Sequence, residues 1–216
     1  MEQTIPSRAM NDTALLPSCY LPPVGYLWVM RHYRRVIVDV HEHYVKQTYR
    51  TRCRVASPNG VVDLTVPVEG NASSLPMADV MLSEHGDWRR VHLAAFDSYY
   101  RHTPYYDYYR DDLLPFYRPA RQRLVDYNAA LLATVCDLMG IECRVEASTA
   151  YVPAASCTAI DDFRGCMTPK ADARRSFGGF EPRPYYQVFA GRLGFIPDLS
   201  CVDLLFNMGP EAVLWL

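Results

Sequence analysis

Apolar positions recur with the period of strands through the first third of the chain, and from Trp88 onward with the period of helices. Thr13-Ala14-Leu15-Leu16-Pro17 is a short apolar run closed by proline, which reads as a buried strand. Pro22-Pro23 then fixes the backbone ahead of a helix over about 24–33, and Val36 to Val40 is a second β-branched run. The opening is therefore strand, proline-rich loop, helix, strand. Such a crossover lays its strands parallel and right-handed, with the first loop and the end of the second strand at one carboxyl edge. Asp39, His41 and Glu42 then share that edge with Ser18 and Tyr20.

Strict alternation follows around Asn59-Gly60. If residues 50–55 form a strand, Arg50, Arg52 and Arg54 share one face while Thr51, Cys53 and Val55 share the other. Val62, Leu64, Val66 and Val68 give the partner the same alternation, and Asn59-Gly60 is a strong hairpin signal. Pairing outward from that turn sets Val55 against Leu64 and Cys53 against Val66, with Arg54 facing Thr65 and Arg50 facing Glu69. The result is a basic stripe on an apolar backing. It is either a solvated face with Asp63 and Glu69 as neighbours or an anion site, to which Lys46 and Gln47 add a point charge and an amide.

Trp88, Val91, His92, Ala95, Phe96 and Tyr99 begin the helical region, Pro104 starts a second segment through Phe116, and Leu124 to Leu138 marks a third ending near Gly140. The crowded tyrosines between Tyr99 and Tyr109 suit a core and its rim. Ile141 to Val145 is a short strand. Periodicity then disappears from Ser148 to Pro184, a long loop that supplies Asp162-Phe163-Arg164 and Thr168-Pro169-Lys170. The closing apolar residues Val213, Leu214 and Leu216 are expected on the core. The fold class is α/β: a small mixed sheet with a parallel strand-helix-strand opening and a β-hairpin, covered by about three helices. Residues 1–11 read as a loose tail, and residues 12–216 as one domain with its long loop at about 148–184.

Composition narrows the classes of function. The chain has 216 residues, a net charge of −2 and 21% charged residues, which fits one globular core and gives no electrostatic case for nucleic-acid binding. No apolar run reaches the roughly 18 residues of a spanning helix, and the first residues are polar without a signal-peptide core, so the expected location is cytoplasmic. Seven scattered cysteines argue for thiols rather than a disulfide framework. His41 and His43 form an HxH without a third ligand, and no metal is assigned. Walker, GxGxxG, GxSxG and HExxH motifs are absent.

Leu15 to Tyr26, Tyr44 to Arg54 and Leu64-Thr65-Val66-Pro67-Val68, together with Tyr186-Gln187-Val188-Phe189, Gly194-Phe195-Ile196-Pro197 and Leu199 to Asn207, closely resemble the WbqC-like family. The resemblance covers nearly the whole chain, and the motifs are specific in combination. It implies a place in O-antigen or surface-polysaccharide synthesis and, for one branch, transfer of a glycyl or other aminoacyl group. On that implication a small acyl or aminoacyl group moves onto a sugar nucleotide or glycoconjugate precursor. Lys46, Arg50 and Arg52 would hold a phosphate or carboxylate, with Arg164 and Lys170 contributed by the long loop. Tyr20 and Ser18 would position the acceptor, and His43 would be the general base. No cofactor is expected beyond ATP or an activated amino acid as donor, and the partner is a small anionic substrate. The alternative is a non-catalytic binding or assembly protein whose basic strand face recognises an acidic partner.

Overall fold

A computed structural model of the chain describes residues 11–153, 159–170 and 179–216. Most of the expected N-terminal tail, residues 1–10, lies outside the described residues, as do parts of the 148–184 loop. Strand β1 (Thr13–Pro17) leads through a loop into helix α1 (Val24–His32) and back to strand β2 (Arg35–Asp39). The two strands are parallel, with Ala14 opposite Val36 and Leu16 opposite Val38. β1 is buried almost throughout, as the unbroken apolar run of a central parallel strand requires.

Two short strands complete the sheet. β5 (Val145–Ala147) pairs with the outer side of β2, and β6 (Asp161–Asp162) pairs with the free side of β1, both parallel, giving the order β5-β2-β1-β6. The expected strand at 141–145 therefore lies a few residues later, because Ile141 is used to close the preceding helix. β6 lies inside the segment expected as loop. A two-residue acidic strand has no apolar period, and only the open edge of β1 makes it a strand. Since β2 lies on one side of β1 and β6 on the other, the connections diverge at the carboxyl edge, the arrangement that opens a crevice in parallel sheets.

The hairpin consists of β3 (Arg52–Ser57) and β4 (Gly60–Thr65). Its register differs from the expected one by two residues: Cys53 faces Leu64, Val55 faces Val62, and Ser57 faces Gly60. The turn is centred on Pro58-Asn59, not Asn59-Gly60. Proline supplies the φ of the first turn position, Gly60 takes φ 119° after the turn, and Ser57 Oγ accepts from the Asn59 amide at 3.2 Å. An even shift keeps every side chain on its expected face, so the apolar backing survives. The expected strand start does not, because Arg50 precedes β3 and lies in the turn that leads into it.

Helices α2 (Trp88–Tyr100), α3 (Tyr106–Leu113) and α4 (Leu124–Met139) follow the expected helical pattern. α4 ends where Gly140 adopts φ 64° and the Ile141 amide donates back to the Cys136 carbonyl at 2.9 Å, a glycine C-terminal cap. The helix at Cys201–Met208 packs against α4, α3 and α1 and is buried along nearly its whole length. Of the final apolar residues, Val213 and Leu216 pack against the core while Leu214 is exposed.

Candidate functional site at the carboxyl edge

The ends of β1, β2, β5 and β6 meet at one edge, where the chain places three carboxylates and two arginines in contact. Asp39, the last residue of β2, is fully buried and turns its Oδ1 onto the amides of His41 and Glu42 at 2.9 and 3.2 Å. Ser148, just past β5, donates its hydroxyl to the same oxygen at 3.0 Å, and Arg164 donates to Oδ2. Arg164 also forks onto Asp162, with Nη2 at 2.6 Å from Oδ2. This guanidinium is therefore fixed by carboxylates from two strands, and its position is set by the sheet.

A second pair lies alongside. Arg50 donates from Nε and Nη2 to the two oxygens of Glu42 at 2.8 and 2.6 Å, and it is 4% exposed. Burial pushes the Glu42 carboxyl above the usual glutamate range, Arg50 pulls it back, and the nearby Asp39 charge adds to the rise. Arg50 lies in the chain turn before β3, where Thr48 Oγ1 accepts from its Nη1 at 3.3 Å and Gln47 adopts φ 59°. Such a backbone is strained for a residue with a side chain, and strain of this kind accompanies binding sites.

Together these elements wall a cleft of about 410 Å³. Lys46, Gln47, Thr48 and Arg50 come from one side, and Arg164, Thr168 and Lys170 from the other. Lys46 and Lys170 are both exposed, and neither ammonium has an ion-pair partner among the described residues. The structure thus brings together four of the residues expected at an anion site: Lys46, Arg50, Arg164 and Lys170.

The other expected residues lie elsewhere. Arg52 and Arg54 do stand on one face of the hairpin, but both turn to Asp63 on the partner strand, at 2.8 and 4.0 Å, and neither lines the cleft. The stripe is thus a paired sheet face, and Arg50 is no part of it. Tyr20 is fully buried; its hydroxyl bonds to Tyr117 at 2.7 Å and to His92 Nδ1 at 2.9 Å, and its ring stacks on Tyr127. Burial lowers the His92 imidazole to about 4, so this hub is neutral. The expectation that Tyr20 contacts an acceptor is corrected on that ground: the loop from Ser18 to Pro23 is a buried clasp. It is held by Ser200 Oγ on the Leu21 carbonyl at 2.8 Å and by the Cys201 amide on Pro22 at 2.7 Å. Ser18 is buried and lines a separate apolar groove. His43 is exposed, next in the chain to Glu42, and outside the lining of the cleft.

Asp39, Glu42, Ser148 and Asp162 are the members of the edge network that were not assigned a site role from the sequence. Asp39 and Glu42 carried a signal, since the crossover put them at this edge. Asp162 was visible only as a charge beside Arg164, and Ser148 carried no signal until β5 was placed.

Residues 18–179 match the WbqC-like protein family. The chain belongs to the WbqC-like family. The matched span contains every residue of the cleft. A relative over nearly full length is the "Uncharacterized protein Rv1507c" of Mycobacterium tuberculosis (strain ATCC 25618 / H37Rv), 26% identical over 227 residues, covering 94% of this chain and 96% of the relative. No solved structure matches. Among the described residues of this WbqC-like protein, no helix is long and apolar enough to cross a membrane, and no group of three or more His, Cys, Asp or Glu could hold a metal ion.

Proposed function

We propose that this WbqC-like protein is a cytoplasmic transferase that moves a small acyl or aminoacyl group, glycyl among them, onto a sugar nucleotide or glycoconjugate precursor in surface-polysaccharide synthesis. The observation that carries the reading is the cleft at the carboxyl edge of the parallel sheet, where Lys46 and Lys170 present ammonium groups with no ion-pair partner among the described residues, beside Arg50 and Arg164. The two arginines are held in fixed positions by Glu42, Asp39 and Asp162, and the two lysines supply the charge that an incoming phosphate or carboxylate neutralises. Arg52 takes no part, since Asp63 already holds it.

In the transfer itself, a hydroxyl or amine of the acceptor attacks the carbonyl carbon of an activated donor such as an acyl phosphate or adenylate. The new C–O or C–N bond forms as the bond to the leaving phosphate breaks, and the phosphate departs with that electron pair toward Lys46 and Lys170. The acceptor's proton passes to water at the cleft, since His43, the base expected from the sequence, lies outside the cleft lining and both oxygens of Glu42 are engaged by Arg50. ATP would enter only as the source of the activated donor. The alternative of a basic strand face recognising an acidic partner loses support because Arg52 and Arg54 share Asp63.

The test is a thermal-shift and calorimetric comparison of wild type with the Lys46→Ala/Lys170→Ala double variant, against sugar nucleotides, amino acids with ATP, and inorganic phosphate. Both lysines are exposed, so the variant keeps the wild-type midpoint within about 0.5 kcal/mol of stability. A phosphate-bearing ligand raises the wild-type midpoint and binds the variant at least about tenfold more weakly. Equal binding by both proteins, or no binding of any phosphate-bearing compound, overturns the proposal.

A further inference from the structure

Val38 of β2 and Val145 and Ala147 of β5 share one sheet face, Val40 follows just past the end of β2, and over them runs a groove of about 380 Å³. Met30 on α1 and Leu132 and Cys136 on α4 give it apolar and sulfur-bearing walls, and Ala129 and Ala133 keep its rim low. Its volume lies in the range of small-molecule sites. One group does not suit an apolar groove. Asn128 lines it at 1% exposure. Its amide nitrogen gives one hydrogen to Ser18 Oγ at 3.2 Å and the other to the Arg50 carbonyl at 3.0 Å. Its Oδ1 is buried without a hydrogen-bond partner among the described residues.

A buried amide oxygen left unpaired is costly, and the cost is relieved by an occupant that brings an N–H or O–H. Ser18, which also lines the groove, accepts from Asn128 and retains its own hydroxyl proton to donate. The groove therefore offers an acceptor and a donor side by side in an apolar slot. An alkyl chain satisfies neither. A planar heterocycle with an exocyclic amine satisfies both, giving an amine hydrogen to Asn128 Oδ1 and accepting from Ser18 at the adjacent ring nitrogen. Its faces are buried against Val38, Val40 and the polarisable sulfur of Met30.

We propose that this groove, closed at its polar end by Ser18 and Asn128, binds an aminopurine-type nucleobase. Arg50 links it to the cleft, since its carbonyl receives the Asn128 amide while its guanidinium lines the cleft wall. The inference builds on the cleft reading in supplying the base of a nucleotide, and an uncharged nucleoside tests it apart from the cleft.

The experiment is isothermal titration of the intact chain with adenosine, with purine riboside, which lacks the exocyclic amine, and with octanoate as an alkyl probe. Two variants accompany wild type. Ala133→Phe fills the groove from an exposed position and leaves the thermal midpoint unchanged; Asn128→Leu removes the orphan acceptor. Adenosine is expected to bind wild type, purine riboside to bind at least about tenfold more weakly, and Ala133→Phe to lose adenosine binding. Absence of adenosine binding, equal binding of adenosine and purine riboside, or octanoate binding in their place overturns the proposal. If Asn128→Leu does not fold, Ala133→Phe and the ligand pair still decide. Inorganic phosphate is titrated in parallel: phosphate bound without adenosine sinks the groove alone, and adenosine bound without phosphate sinks the cleft alone.

Discussion

Asp203 should make this protein less stable as pH rises from 5 to 8, and Asp203→Asn should remove its share of that dependence, leaving the share of Asp198, whose carboxyl burial also raises, to about 7. The residue lies on the helix Cys201–Met208 at 1% exposure, with Tyr100 donating to Oδ2 and Tyr185 to Oδ1, each at 2.8 Å. Its donors are neutral, and no ion pair to it occurs among the described residues. Burial accordingly outweighs the hydrogen bonds and pushes the carboxyl from 3.8 up to about 6. An acid raised in this way contributes stability that is fully present below its unfolded value and is lost as pH climbs through the folded one. Taking 3.8 unfolded and 6 folded, the loss is about 1.6 kcal/mol at pH 5 and about 3 kcal/mol at pH 8, a change of about 1.4 kcal/mol across the interval. Asparagine imitates the protonated acid, with an oxygen for one tyrosine and an amide for the other. Urea unfolding of both proteins at pH 5, 6, 7 and 8 should show the variant gaining about 1.4 kcal/mol on wild type from end to end. A difference that stays flat would refute the reasoning. A wild type that gains on the variant as pH rises would show instead that the two tyrosines hold the carboxylate below its ordinary value.

Two further outcomes test the packing around the cleft and the last helix. Arg50→Ala leaves Glu42 buried without its partner and should cost about 3–5 kcal/mol in urea unfolding, whereas Glu42→Leu/Arg50→Met should cost clearly less than the two single changes together; additive losses would mean that the pair is not coupled. At Gly209 the backbone takes φ 55° and a Cβ would stand 2.5 Å from the Tyr105 ring, so Gly209→Ala should lower stability by about 1–3 kcal/mol. An unchanged midpoint in scanning calorimetry would contradict that close approach.

Much of the architecture was written in local patterns. The apolar run Thr13–Pro17, the prolines before α1 and the β-branched Val36–Val40 specified a parallel crossover, because a strand-helix-strand unit of that length has few other ways to pack. The period-2 alternation on either side of Ser57-Pro58-Asn59-Gly60 determined which face of the hairpin is buried. It left the register open by two residues, since both registers satisfy the same alternation and only the turn chooses between them. The family was legible for the same reason, its motifs being contiguous stretches.

The site was legible only in outline. Lys46, Arg50, Arg164 and Lys170 were each visible as charges, but whether a charge is free depends on partners distant in sequence. Arg50 and Arg52 look alike along the chain. One is held in a buried pair by Glu42, eight residues before it, and the other is neutralised across the hairpin by Asp63. Tyr20 has the residue type of a site and the position of a core, because Tyr117, Tyr127 and His92 converge on it from three later segments. Asn128 did leave a trace, as a polar residue on the apolar face of α4 between Leu124 and Leu131. What the sequence determined by itself was the elements, their faces and the family, all carried by short-range periodicity. Which charges meet, and where an orphaned amide oxygen is buried on a residue beside an apolar groove, were decided by tertiary packing, because those facts are relations between residues that only the fold brings together.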